Sequence, residues 1–158
     1  MQYTIDADAD PDDLETEQTT PGTRHIYANV LVAEDDQQLR TLISARLRRE
    51  GFAVEQAPSG TEMLARLLRT ANDTDGIDLI ILDHLMPGCT GLEIVEALRR
   101  ARWSIPVVMI TAFPEPGLVE RAHRLDVRVV AKPFSMDRLS ETAIAAILDA
   151  RSAPGASW

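Results

Sequence analysis

The stretch that decides the fold is residues 79–95, LIILDHLMPGCTGLEIV. It lies within and beyond an apolar run, residues 77–82 (IDLIIL), rich in branched side chains and so read as a strand. The run ends on a single carboxylate, Asp83. Pro87 and Gly91 mark a turn. Leu92, Val95 and Leu98 then fall at helical spacing, with Thr90 placed to cap that helix.

The same alternation extends in both directions. Further strand-like runs occupy residues 29–33 (NVLVA), 53–56 (AVEQ), 105–110 (IPVVMI) and 127–131 (VRVVA). Three of the five runs are almost wholly apolar, as strands covered on both faces are. Helical stripes separate them: Leu39, Leu42, Ile43 and Leu47; Met63, Leu64, Leu67 and Leu68, with Ser59 as a cap; Leu118, Val119, Ala122 and Leu125; and Leu139, Ala143, Ala146 and Ile147 after Ser135. Five strands alternating with five helices predict an α/β domain, a doubly wound five-stranded parallel sheet with helices on both faces. Residues 27–151 are expected to form it. Residues 1–26 hold seven acids against one arginine, so they carry −6 of the −9 net charge, and they read as a disordered acidic tail. Residues 152–158 read as a flexible end.

A remaining charge of only −3 argues against direct nucleic-acid binding, which calls for a basic stripe. No apolar run is long enough to insert in a membrane, and the N-terminus is acidic where a signal peptide is basic, which points to a cytoplasmic protein. One cysteine, Cys89, allows no intrachain disulfide.

In sheets of this kind ligands bind beyond the carboxyl ends of the strands. The first run leads into Glu34, Asp35 and Asp36, the third ends at Asp83, the fourth at Thr111 before Ala112, and the fifth at Lys132 before Pro133. Several carboxylates at one edge repel each other until a cation neutralises them. Oxygen ligands without a Cys/His cluster favour Mg2+ or Mn2+ over a soft metal. A carboxylate is also a nucleophile able to form an aspartyl-phosphate. Thr111 offers a hydroxyl, Ala112 a backbone N–H and Lys132 an ammonium to the phosphoryl oxygens. The chain has fifteen arginines, and Lys132 is its one lysine. A compact point charge on a flexible stem does in a tight pocket what a guanidinium cannot.

The segments VLVAEDDQQLR, LIILDHLMPGCTGLEIV, PVVMITA and VVAKPF resemble the receiver domain of two-component response regulators, of the chemotaxis CheY type. The resemblance covers about residues 28–150 and implies the flavodoxin-like (βα)5 fold. By it, Asp83 corresponds to the phosphoacceptor, Thr111 to the switch hydroxyl and Lys132 to the phosphate-binding lysine. Glu34 and Asp35 correspond to the acidic pair that binds Mg2+ together with Asp83 and the backbone carbonyl of Leu85. Pro87 and Gly91 match the turn after the acceptor, and Lys132–Pro133 the family's cis peptide. The resemblance also implies partners: a sensor histidine kinase or histidine phosphotransfer protein as donor, and a downstream protein that docks on a monomer or a phosphorylation-dependent dimer. It implies no enzyme beyond Mg2+-dependent self-phosphorylation and slow self-dephosphorylation.

Some positions depart from the pattern. Glu34 stands where Asp is commoner. Leu85 is apolar beside the place of an attacking water. Val129 stands where the family carries an aromatic side chain, and it is too short and stiff to swing like a ring. Activation is therefore expected to run through residues 112–117 and the helix that follows. The runner-up is an interaction module that keeps the fold without phosphotransfer. A phosphatase with an aspartyl nucleophile is disfavoured, because Leu85 occupies the place of its second acid. His84 is expected to have a surface or packing role, Cys89 to lie in a loop, and the arginine clusters at 46–49 and 99–102 to be solvated helix ends.

Overall fold

The computed structural model describes residues 27–70 and 76–153. Strands β1 (Asn29–Ala33), β2 (Ala53–Ala57), β3 (Leu79–Asp83), β6 (Val107–Thr111) and β7 (Val127–Ala131) form one parallel sheet in the order β2-β1-β3-β6-β7. Helices α1 (Gln37–Arg49), α2 (Gly60–Thr70), α3 (Gly91–Arg100) and α4 (Pro116–Arg124) connect them, and α5 (Met136–Ser152) follows the last strand. The doubly wound α/β architecture expected from the sequence is present. The expected tail, residues 1–26, lies outside the described residues, as does most of 152–158.

Alternation along the strands creates two cores. Leu31, Ile80, Leu82, Val107, Met109 and Val127 face α2, α3 and α4. Val30, Val32, Ile81, Val108, Ile110 and Val130 face α1 and α5. β3 and β6 are fully buried, which explains their apolar sequences: each covered Leu or Ile contributes about 1.5–3 kcal/mol.

Three helix starts follow the caps read from sequence, at Ser59, Thr90 and Ser135, and Asp36 caps a fourth. Asp36 accepts the N–H of Leu39, Ser59 that of Glu62 and Ser135 that of Arg138. Thr90 and Glu93 form a reciprocal capping box. Three strand boundaries move: β2 ends at Ala57 instead of Gln56, β3 begins at Leu79 instead of Ile77, and β6 begins at Val107 instead of Ile105, while the ends at Asp83 and Thr111 are as expected. Asp78 stays outside the ladder, where its carboxylate accepts the backbone N–H of Asn29 at 2.7 Å. A two-residue hairpin not expected from the sequence, β4 (Leu85–Met86) with β5 (Cys89–Thr90), turns at Gly88, whose φ of 96° suits glycine. Cys89 is therefore in a short strand, half-buried against the α3 side of the core, and not in an open loop.

Candidate phosphoacceptor site

The strand order reverses between β1 and β3, so their two onward connections leave in opposite directions and open a crevice at the carboxyl edge. Glu34 and Asp35 follow β1 directly, and Asp83 closes β3. Asp83 is held there by close packing beneath it. Gly91 N donates to the carbonyl of His84 at 2.7 Å, and a Cβ on Gly91 would meet the Asp83 carbonyl oxygen at 2.9 Å. Only glycine lets α3 start this near the end of β3.

Lys132 reaches across from the end of β7. Its Nζ lies 3.1 Å from Glu34 Oε2 and 3.2 Å from Asp83 Oδ1. Its backbone N–H donates to the Thr111 carbonyl at 2.7 Å, which ties the ends of β6 and β7 together. The Lys132–Pro133 peptide is cis, as the resemblance implied. Glu34 is 1% exposed, Asp83 5% and Thr111 1%, whereas the Lys132 side chain keeps 25% of its surface and Asp35 is open to solvent. Glu34 also accepts the backbone N–H of Asp36 at 3.1 Å. Thr111 Oγ1 accepts the backbone N–H of Phe113 at 3.1 Å.

The electrostatics follow from burial. Desolvation pushes the Asp83 carboxyl above its ordinary range; Asp35 adds to this, and Lys132 and a hydrogen bond from the Leu85 backbone oppose it. Glu34 is likewise raised, first by burial and then by Asp83. Burial works against the Lys132 ammonium, but Asp83 and Glu34 outweigh it and its pKa is raised. Carboxylate oxygens of Glu34, Asp35 and Asp83 lie within 4.8 Å of one another. Three carboxylates against one ammonium leave two negative charges, which a divalent cation neutralises. The all-oxygen donor set fits Mg2+ or Mn2+.

The family model described as response regulator receiver domain matches residues 30–144. The chain belongs to that family. This receiver domain is 33% identical over 107 residues to the transcriptional regulatory protein ResD of Bacillus subtilis, covering 67% of the chain and 42% of ResD. It is 37% identical over 114 residues to the sensory transduction protein RegX3 of Mycobacterium tuberculosis, covering 70% of the chain and 47% of RegX3. The chain thus spans under half the length of these curated relatives. Among solved structures, the chemotaxis response regulator CheY4 of Vibrio cholerae superposes with a TM-score of 0.66 at 30% identity, covering 77% of this chain and 99% of that one. A receiver domain from Clostridium thermocellum gives 0.71 at 25%, covering 78% and 97%.

The fold brings Glu34, Asp35, Asp83, Thr111 and Lys132 to one edge of this receiver domain. Leu85 and Ala112 directly flank it, both exposed. His84 is half-buried, its pKa lowered by burial, and its Nδ1 is buried without a hydrogen-bond partner. Two large apolar side chains are exposed, each two residues after a site residue: Phe113, 65% exposed, after Thr111, and Leu85, 51% exposed, after Asp83. Sequence reading missed Phe113, although its place two residues after Thr111 was available as a signal. It also misjudged Arg99, which is half-buried and donates to the main-chain carbonyls of Trp103, Ile105 and Leu125 instead of standing as a solvated helix end.

Proposed function

We propose that the domain is the phosphoacceptor of a two-component relay, with Asp83 receiving a phosphoryl group from a phosphohistidine donor. The observation that carries this is the Lys132 ammonium lying between two buried carboxylates, Glu34 and Asp83, at hydrogen-bonding distance from both. In the transfer, an Asp83 carboxylate oxygen attacks phosphorus and forms the acyl phosphate O–P bond. The N–P bond of the donor breaks, and its electron pair returns to the imidazole nitrogen. Lys132 neutralises charge on the phosphoryl oxygens, with the Thr111 hydroxyl and the Ala112 N–H as further donors. Glu34, Asp35, Asp83 and the Leu85 carbonyl would hold Mg2+, which supplies charge neutralisation for the approaching phosphoryl group. Glu34 is held both by the Lys132 ammonium and by the Asp36 backbone N–H.

The expected setting is cytoplasmic, with a histidine kinase or histidine phosphotransfer protein upstream and a docking protein downstream. The test is to treat the chain with a small phosphodonor and Mg2+ and to map the base-labile acyl phosphate. Labelling is expected at Asp83 and lost in Asp83→Asn; label persisting at the wild-type level would overturn the assignment.

A further inference from the structure

Arg40 stands where helix formation does not call for a cation. α1 begins at Gln37, has no acid in its first turn and carries Arg40 as its fourth residue, close to the end where the helix dipole favours negative charge. The arginines of its last turn, Arg46, Arg48 and Arg49, are at the favoured end. The placement of Arg40 is explained instead by what its side chain holds.

The guanidinium is half-buried and reaches back to the turn between β1 and α1. Its Nη1 donates to the Glu34 carbonyl at 2.7 Å, and its Nε donates to Gln56 Oε1, near the end of β2, at 3.3 Å. Glu34 lies one residue beyond β1. Its N–H still donates to the Ala57 carbonyl at 3.2 Å, but its own carbonyl is past the paired residues of the ladder. That carbonyl shares a rigid plane with the N–H of Asp35. Fixing it fixes the peptide from which Asp35 hangs, and leaves that carboxylate only its own φ and side-chain torsions. The rest of the turn is tied as closely. The Asp36 N–H donates to Glu34 Oε1 at 3.1 Å, and the Leu39 N–H to Asp36 Oδ1 at 2.9 Å. The Arg40 N–H donates to the Asp36 carbonyl at 2.9 Å. Asp35, the exposed acid of the three, therefore takes its orientation from the backbone beneath it. A hydrogen bond from a charged donor is among the stronger ways to hold that backbone.

We propose that Arg40 is a positioning residue of the cation site: by gripping the Glu34 carbonyl it sets the Glu34–Asp35 peptide and holds Asp35 in the arrangement that Mg2+ requires. This rests on the reading of Glu34, Asp35 and Asp83 as ligands of a divalent cation. Mg2+ demands near-ideal octahedral geometry, whereas Ca2+ accepts an irregular shell. Loosening the turn therefore costs Mg2+ more than Ca2+. Charge acts with the opposite sign, because removing a cation close to three carboxylates strengthens the binding of both ions. The two ways in which Arg40 could matter are thus told apart by the direction of the effect.

The test is a calorimetric titration of the full chain with Mg2+ and, separately, with Ca2+, in the wild type, Arg40→Gln and Arg48→Gln. Arg48 is the matched control: at the other end of α1 its Nη2 donates to the Val54 carbonyl of β2 at 2.9 Å. In Arg40→Gln, Mg2+ affinity should fall about tenfold while Ca2+ affinity stays within about threefold. In Arg48→Gln, both affinities should stay within about twofold of the wild type, even if its thermal midpoint falls as far. Arg40→Lys keeps a cation for the Glu34 carbonyl but loses the guanidinium fork to Gln56, and should recover part of the Mg2+ affinity. Stronger binding of both ions in Arg40→Gln overturns the proposal in favour of simple charge. An equal fall for both ions, or an equal Mg2+ loss in Arg48→Gln, overturns it in favour of a general loosening of the fold. Unchanged binding in Arg40→Gln beside a wild type that binds overturns the role of Arg40 alone. A wild type that binds neither ion overturns the ligand reading beneath it. If Arg40→Gln does not fold, Arg40→Lys decides, and wild-type preference for Mg2+ over Ca2+ in that variant overturns the proposal.

Discussion

At the scale of single residues, the site is built against its own stability. Glu34 and Asp83 both have carboxyl groups raised above the ordinary range by burial. A raised acid means that, between the unfolded and folded pKa values, the folded state holds more protons than the unfolded one. Stability then falls as pH rises through that window, upward from the ordinary carboxylate range. The metal-free chain should accordingly lose thermal stability over that window. Asp83→Asn should raise the midpoint at neutral pH and flatten the slope; a lower midpoint would show that the Lys132–Asp83 pair outweighs the repulsion. The two acids of the pair should behave differently toward metal. Asp35 is exposed, whereas Glu34 is engaged by Lys132 and by the Asp36 N–H. In a Mg2+ titration, Asp35→Ala should weaken binding more than Glu34→Ala, and equal losses would mean that the two acids hold the ion equally directly, against this ranking.

At the scale of elements, the start of α3 is where chain geometry and chemistry meet. Gly91→Ala would push a methyl group onto the backbone of Asp83 and His84, at 2.9 and 3.0 Å. The expected cost is about 1–3 kcal/mol, together with displacement of Asp83 and slower phosphorylation. Thr90→Ala removes half of the capping box and should cost about 1 kcal/mol without affecting labelling. Urea unfolding and phosphodonor kinetics separate the two variants. These elements were largely legible in the sequence, because caps at Ser59, Thr90 and Ser135 and the apolar runs are local signals. The ends of the third and fourth strands were legible too, at Asp83 and Thr111, but their starts were not: the apolar runs begin at Ile77 and Ile105, two residues before the ladder does. The β4–β5 hairpin is too short to show any period. Arg99 was misread for a deeper reason. Its partners are main-chain carbonyls from residues 103, 105 and 125, and no side-chain pattern announces a carbonyl.

At the scale of the whole molecule, stability and ligation are linked through the sheet edge. The carboxylates proposed to bind the cation follow β1 and close β3, adjacent interior strands of the order β2-β1-β3-β6-β7, so anything that quiets their repulsion acts on the core of the fold. Mg2+ at a hundred times its dissociation constant should add about 2.7 kcal/mol to unfolding stability. Calorimetry should show the midpoint rising with Mg2+ concentration in the wild type and hardly at all in Asp35→Ala. A wild-type midpoint indifferent to Mg2+ would count against the carboxylate cluster as its binding site.

The solitary lysine has a consequence for chemical labelling. Amine-directed reagents meet one ε-amine in this chain, and it sits at the centre of the site with two carboxylates keeping it protonated. A protonated amine is a poor nucleophile, so Lys132 acylates slowly for as long as both partners stay charged and in place. Because Pro133 follows it, proteases that cut after lysine find no ordinary bond to cleave there. The mass of the intact chain after brief acylation, corrected for its α-amino group, therefore reads the occupancy of the pocket without any introduced probe.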